Sequence, residues 1–137
     1  MGSAVIAEDL RTVVGRLVRR LRANYAIAPH QFSVLNTIER HGPQTASQLA
    51  ALEIVRPQSM AHTLQQLTEA GFVTRRPDPA DGRQTLIALS DAGRHAIDEQ
   101  RRETTGWLSA AIDDELDADE RLILATAVTL LGRLVEG

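Results

Sequence analysis

Apolar residues recur along the chain at helical spacing, and the pattern breaks at glycine and proline. Ile6, Leu10, Val13, Val14, Leu17 and Leu21 fall on one face of a helix over residues 4–23, while Arg16, Arg19, Arg20 and Arg22 take much of the rest. Pro29 opens a second helix striped by Phe32, Leu35 and Ile38, which ends at His41-Gly42-Pro43. Thr45 with Gln48 three residues later forms a capping-box pattern for a short third helix, Ala46 to about Leu52. Pro57 suits a first helical position, where its missing N–H costs nothing, and the fourth helix then runs to Ala70 and stops at Gly71. At about 100° per residue Met60, Leu64 and Leu67 cluster on one side of it. Gln58, Ser59, His62, Thr63 and Gln66 are assigned to the opposite side, with no acidic residue among them.

Residues 72–76 and 85–89 then read as two strands. Between them the two prolines and the Asp81-Gly82 pair mark a hairpin loop. Ser90 opens a long polar helix reaching roughly Ile112, and Asp117 with Glu120 caps a last one. That last helix carries Leu122, Ile123, Leu124, Val128, Leu130, Leu131, Leu134 and Val135 on more than one face. A second copy of the chain is the expected cover, so the helix reads as a dimer helix; a terminal helix buried in its own domain is the alternative. The predicted fold class is mainly α with a small β-hairpin: three helices and then a hairpin is the order of a winged helix-turn-helix, here flanked by N- and C-terminal dimerisation helices.

Composition changes this picture in three ways. With 137 residues the chain fits one domain, and it shows neither a run of apolar residues long enough for a membrane span nor a secretory core, so a cytoplasmic location is the expectation. The absence of cysteine excludes disulfides, thiolate metal sites, cysteine nucleophiles and thiol-based oxidant sensing. The net charge of −3 looks adverse to DNA, but six of the 18 acidic residues lie between Asp113 and Glu120. Outside that run 12 acidic residues face 15 basic ones, every one of them arginine, which suits bidentate recognition of phosphate or guanine. An arginine bias set by genome base composition explains the missing lysines equally well.

Enzyme chemistry finds no foothold, because no glycine-rich phosphate loop, His-Glu-x-x-His or nucleophile elbow is present. No cofactor is expected. No metal site is expected either: His95 and Glu99 share a helix face at i and i+4, but such a pair is ordinarily solvated, and the acidic run lacks the glycine of a calcium loop.

Four stretches bring the chain close to a known group. They are Arg56-Pro57-Gln58-Ser59, Leu67-Thr68-Glu69-Ala70-Gly71-Phe72-Val73, Asp78-Pro79-Ala80-Asp81-Gly82-Arg83 and Leu89-Ser90-Asp91-Ala92-Gly93. In these, over nearly its whole length, the chain resembles the MarR family of bacterial regulators. The resemblance implies one domain over 1–137, with 1–27 and 91–137 as dimerisation helices and 28–90 as the winged-helix DNA-binding region. It implies a dimeric, sequence-specific DNA-binding regulator, typically a repressor of nearby genes relieved by a small phenolic or amphipathic effector. A winged-helix protein-interaction module without DNA binding is the alternative function. The fourth helix becomes the recognition helix, with Pro57, Gln58, Ser59, His62, Thr63 and Gln66 at the duplex, and Arg56 at a base or a phosphate. Thr45 and Ser47 at the start of the third helix would position the backbone, with Thr45 as a plain cap the equal alternative. Arg83 would enter or approach the minor groove, with Asp81 holding it or the turn, while Arg75 and Arg76 are candidates for the backbone. Effector candidates are Tyr25, His30, Phe32 and Trp107 among the first, second and fifth helices, and the dimer interface would take Leu10, Leu17, Leu124, Val128, Leu131 and Leu134. The target would be a pseudo-palindromic operator in double-stranded DNA.

Overall fold

The computed structural model describes all residues from Met1 to Gly137. The elements run α1 (Ser3–Arg22), α2 (Pro29–His41), β1 (Gln44–Thr45), α3 (Ala46–Glu53), α4 (Pro57–Glu69), β2 (Val73–Pro77), β3 (Thr85–Leu89), α5 (Asp91–Glu115) and α6 (Ala118–Glu136). The helix boundaries follow the punctuation in the sequence. Pro29 and Pro57 occupy first-turn positions of α2 and α4. Capping boxes form at Thr45/Gln48 and at Asp117/Glu120, each side chain bonding the other residue's backbone N–H. Gly71 takes φ +80° just beyond α4, a left-handed turn that glycine adopts without a Cβ clash.

One strand was not foreseen. Gln44–Thr45 pairs antiparallel with β3, Gln44 opposite Ile87 and Thr45 opposite Leu86, giving a three-stranded sheet of order β1-β3-β2. Two residues carry no readable period, so only the long-range pairing reveals this strand. The hairpin also extends one residue further than expected, with Pro77 opposite Thr85 on the outer strand, where a missing ladder donor is tolerated.

The chain divides into two compact units, Met1–Arg101 and Arg102–Gly137. In the first, Leu35, Leu49, Met60, Leu64, Leu67, Ile87 and Ile97 are fully buried, joining α2, α3, α4, β3 and the start of α5 in one core. Each such side chain contributes roughly 1.5–3 kcal/mol through burial. Polar ties fix the helices around it. The Glu53 carboxylate at the end of α3 accepts the hydroxyls of Ser33 and Thr37 on α2. Arg101 donates to Asn36 (2.7 Å) and Glu39 (2.8 Å), and the buried Gln100 accepts the Ala26 N–H at 3.1 Å.

The Leu89-Ser90-x-x-Gly93 stretch has a local cause. The Ser90 hydroxyl donates to the Gly71 carbonyl and accepts the Gly93 N–H at 3.0 Å, while the Ser90 N–H bonds the Phe72 carbonyl at 3.1 Å. The start of α5 is thereby pressed onto the residues that follow α4.

In the second unit, α6 begins at its capping box and buries none of its residues, although Leu122, Ile123, Val128, Leu130, Leu134 and Val135 are exposed. In the first unit α1 likewise buries none, with Val5, Ile6, Val13, Val14, Leu17 and Val18 exposed. No helix is long and apolar enough to cross a membrane.

Candidate nucleic-acid interface

The α4 helix carries its core side on Met60, Leu64 and Leu67, all fully buried. Gln58, Ser59, Ala61, His62, Gln65 and Glu69 are exposed. This corrects the expected polar face in four respects. Thr63 is buried at 8% exposure, because at about 100° per residue it lies only about 40° from Leu67. Gln66 is half-buried and its amide oxygen accepts from Gln31 on α2 at 3.0 Å. Gln65, which sequence reasoning passed over, lies on the exposed arc with Gln58 and His62. Its position seven residues after Gln58 was the available signal. The face is also not free of acid: Glu69 closes it and accepts from Gln65 at 3.3 Å.

Around this helix the other predicted residues take varied places. Arg56 is exposed at the N-cap of α4 and makes no side-chain cap, so its guanidinium is available; Pro57 is exposed beside it. The Thr45 hydroxyl is engaged, accepting the Gln48 N–H at 3.1 Å as the cap of α3, whereas Ser47 is exposed. Arg75 and Arg76 are both exposed on β2, opposite Ile87 and Leu86. At the hairpin tip one Asp81 carboxylate oxygen accepts the Arg83 backbone N–H at 3.1 Å and its Nε at 3.3 Å. Asp81 therefore both holds the turn and leashes a guanidinium whose side chain remains 92% exposed. Such a surface pair adds little stability, but it restricts where the arginine points.

Tyr25 and Phe32 stack edge to face at 5.5 Å, and Phe32 packs against the core. Trp107 is half-buried on α5, in the second unit. His30 alone lines a cavity of about 480 Å³, whose other walls are Arg22, Pro29, Ser33, Val34, Glu53, Val55, Ser59, Met60 and Thr63. Its walls thus come from the first four helices and the α3–α4 turn, not from the first, second and fifth helices. Two of its residues, Ser59 and Thr63, lie on the flank of α4.

Comparison with known proteins agrees with the architecture. Residues 27–85 match the sequence profile of the MarR family. The chain is 38% identical over 136 residues to HTH-type transcriptional regulators of Mycobacterium leprae and Mycobacterium tuberculosis, covering 97% of this chain and 94% of each relative. Among solved structures it is similar to a transcriptional regulator protein from Pseudomonas aeruginosa, with TM-score 0.87, 36% identity and coverage of 98% and 96%. The apo form of MarR from E. coli shares the fold at TM-score 0.70 and 24% identity, with coverage of 98% and 97%.

Proposed function

The chain belongs to the MarR family of HTH-type transcriptional regulators, and on that premise we propose that two copies of it bind a pseudo-palindromic stretch of double-stranded DNA. The observation that carries the reading is the exposed face of α4, with Gln58, Ser59, His62 and Gln65 beside an arginine-tipped hairpin. A helix fits the major groove, where amide, hydroxyl and imidazole groups can bond base edges. Arg56, Ser47, Arg75 and Arg76 then serve the phosphates, and Thr45 orders the start of α3 for the same purpose. Arg83, held by Asp81, reaches toward the minor groove, whose negative potential attracts a guanidinium.

The partner copy covers what one chain leaves open. Leu10 and Leu17 of α1, and Leu124, Val128, Leu131 and Leu134 of α6, form the dimer interface, and Val128 and Leu134 are exposed in the single chain. The twofold axis sets two recognition helices about 34–36 Å apart, one turn of duplex. The protein acts in the cytoplasm as a repressor of nearby genes, and a small amphipathic or phenolic effector releases it. The cavity beside α4 supports that last step, since a ligand touching Ser59 and Thr63 touches the recognition helix itself.

The test is a fluorescence anisotropy titration of the purified protein with its own promoter DNA and with random DNA, at two salt concentrations. Binding should favour the promoter and weaken steeply with salt, each neutralised phosphate adding about −0.9 to the log–log slope. An affinity insensitive to salt, or equal for both DNAs, defeats sequence-specific regulation.

A further inference from the structure

Ile54 holds a backbone conformation that ordinarily falls to glycine or asparagine. It closes α3 at φ 55° and ψ 51°, and no other non-glycine residue has a positive φ. Left-handed backbone strains a β-branched side chain. The turn around it is fixed, because the Val55 N–H donates to the Ala50 carbonyl at 3.0 Å and the Ile54 N–H to that of Ala51 at 3.3 Å. Packing within the chain does not offset the strain, since Ile54 is 91% exposed. A strained residue that its own fold does not use points to a role at a surface.

The surroundings give that role its chemistry. Ile54 walls an open depression of about 610 Å³ between α3 and the start of α4. Ala50, Ala51 and Val55 supply the rest of its apolar surface, while the exposed Ser47 and Arg56 bring a hydroxyl and a guanidinium to it. No carboxylate lines it. A fitting occupant therefore combines an apolar surface with negative charge. A DNA strand does so at every nucleotide, where a deoxyribose stands between anionic phosphates. We propose that the depression takes the backbone of one DNA strand, with Ile54 and Val55 against a deoxyribose and Ser47 and Arg56 on the adjoining phosphates. The proposal rests on the reading that α4 meets a duplex, and it adds an apolar anchor to that polar face. The two surfaces are continuous, Arg56 being the N-cap residue of the helix that carries Gln58 and Ser59.

Ile54→Asn and Ile54→Leu make the test. Asparagine enters the left-handed region more readily and removes the apolar surface, whereas leucine keeps that surface. Ile54→Asn should melt no lower than the wild type, which separates a lost contact from a lost fold. Binding is read by anisotropy titration with promoter DNA and a panel of its single-base variants, at two salt concentrations. Ile54→Asn should bind roughly 5- to 10-fold more weakly than Ile54→Leu, the gain from covering about 50 Å² of apolar surface. That gap should be the same for every base variant, because a sugar carries no sequence. It should also be the same at both salt concentrations, because an apolar contact releases no counterions. Arg56→Ala should instead make the log–log salt slope shallower by about 0.9, for the one phosphate it gives up. Equal affinities of the two Ile54 variants, a gap confined to particular bases, or an unaltered slope in Arg56→Ala overturns the proposal while wild-type binding stands. Light scattering tests the other occupant: if Ile54→Asn turns a dimer into a monomer, a second copy fills the depression and the proposal falls. Failure of the wild-type chain to bind any duplex brings down the reading of α4 as well.

Discussion

Ile54 ends α3 at φ 55° and ψ 51° and is the one non-glycine residue with a positive φ. A β-branched L-residue in that region costs about 1–2 kcal/mol, and a side chain 91% exposed recovers almost nothing through burial. Ile54→Gly should therefore stabilise the protein by about 0.5–1 kcal/mol, because the extra freedom of glycine in the unfolded chain takes back part of the relief. In a thermal melt that is a rise of about 2–4 °C. A lower melting temperature would show that the side chain is held by something that its exposure conceals. Gly93 is the reverse case. A Cβ there would stand 2.1 Å from the Phe72 carbonyl oxygen and 3.0 Å from its carbon, both backbone atoms that cannot swing aside. Gly93→Ala should destabilise by about 1–3 kcal/mol, read as a lower midpoint in urea unfolding. An unchanged midpoint would mean that α5 is free to lift from the hairpin.

At the scale of elements, the proposed function divides recognition between α4 and the hairpin loop, and substitutions should separate them. His62→Ala or Gln58→Ala should change which bases are preferred, by about 5- to 100-fold at the affected position, since these side chains stand on the exposed face. Arg83→Ala should weaken binding to many sequences by a similar factor, since its exposed guanidinium stands on the hairpin loop, tied to Asp81, and not on α4. Anisotropy titrations against a panel of single-base operator variants distinguish the two patterns; identical profiles for all three variants would undo this division. What the sequence made legible tracks the strength of local signals. Proline, glycine and capping boxes placed the ends of α2, α3, α4 and α6, because those residues act on their own backbone. Side-chain class misled at Thr63, where the angle to Leu67 mattered more than the hydroxyl, and the same angular reasoning would have selected Gln65. The edge-to-face contact of Tyr25 with Phe32 was not legible either, since nothing local in the sequence pairs the two rings. The bond of Gln66 to Gln31 was out of reach, because a long-range side-chain partner leaves no local mark in the sequence.

At the scale of the whole molecule, charge and apolar surface are sorted between the two units. Residues 1–101 hold 12 arginines against 10 acidic residues, or +2, whereas residues 102–137 hold 3 against 8, or −5. An overall charge of −3 therefore does not oppose a duplex docking on the first unit, and the acidic second unit discourages DNA from approaching there. The second unit instead offers apolar side chains, and α6 exposes Val128 at 59% and Leu134 at 71%. Large apolar groups left this open call for a partner surface. Because both are open to water in one chain, Val128→Glu with Leu134→Glu should leave that chain's own fold intact. If a second copy covers them, the buried carboxylates repel, and light scattering should report a monomer at concentrations where the wild type is dimeric. Operator affinity should then fall by about 100-fold or more, because the second half-site no longer benefits from the high effective concentration that linkage to the first provides. Affinity for an isolated half-site should change far less. A double variant that stays dimeric would place these side chains in solvent, and α6 would lose its proposed role as the helix that pairs two DNA-reading units.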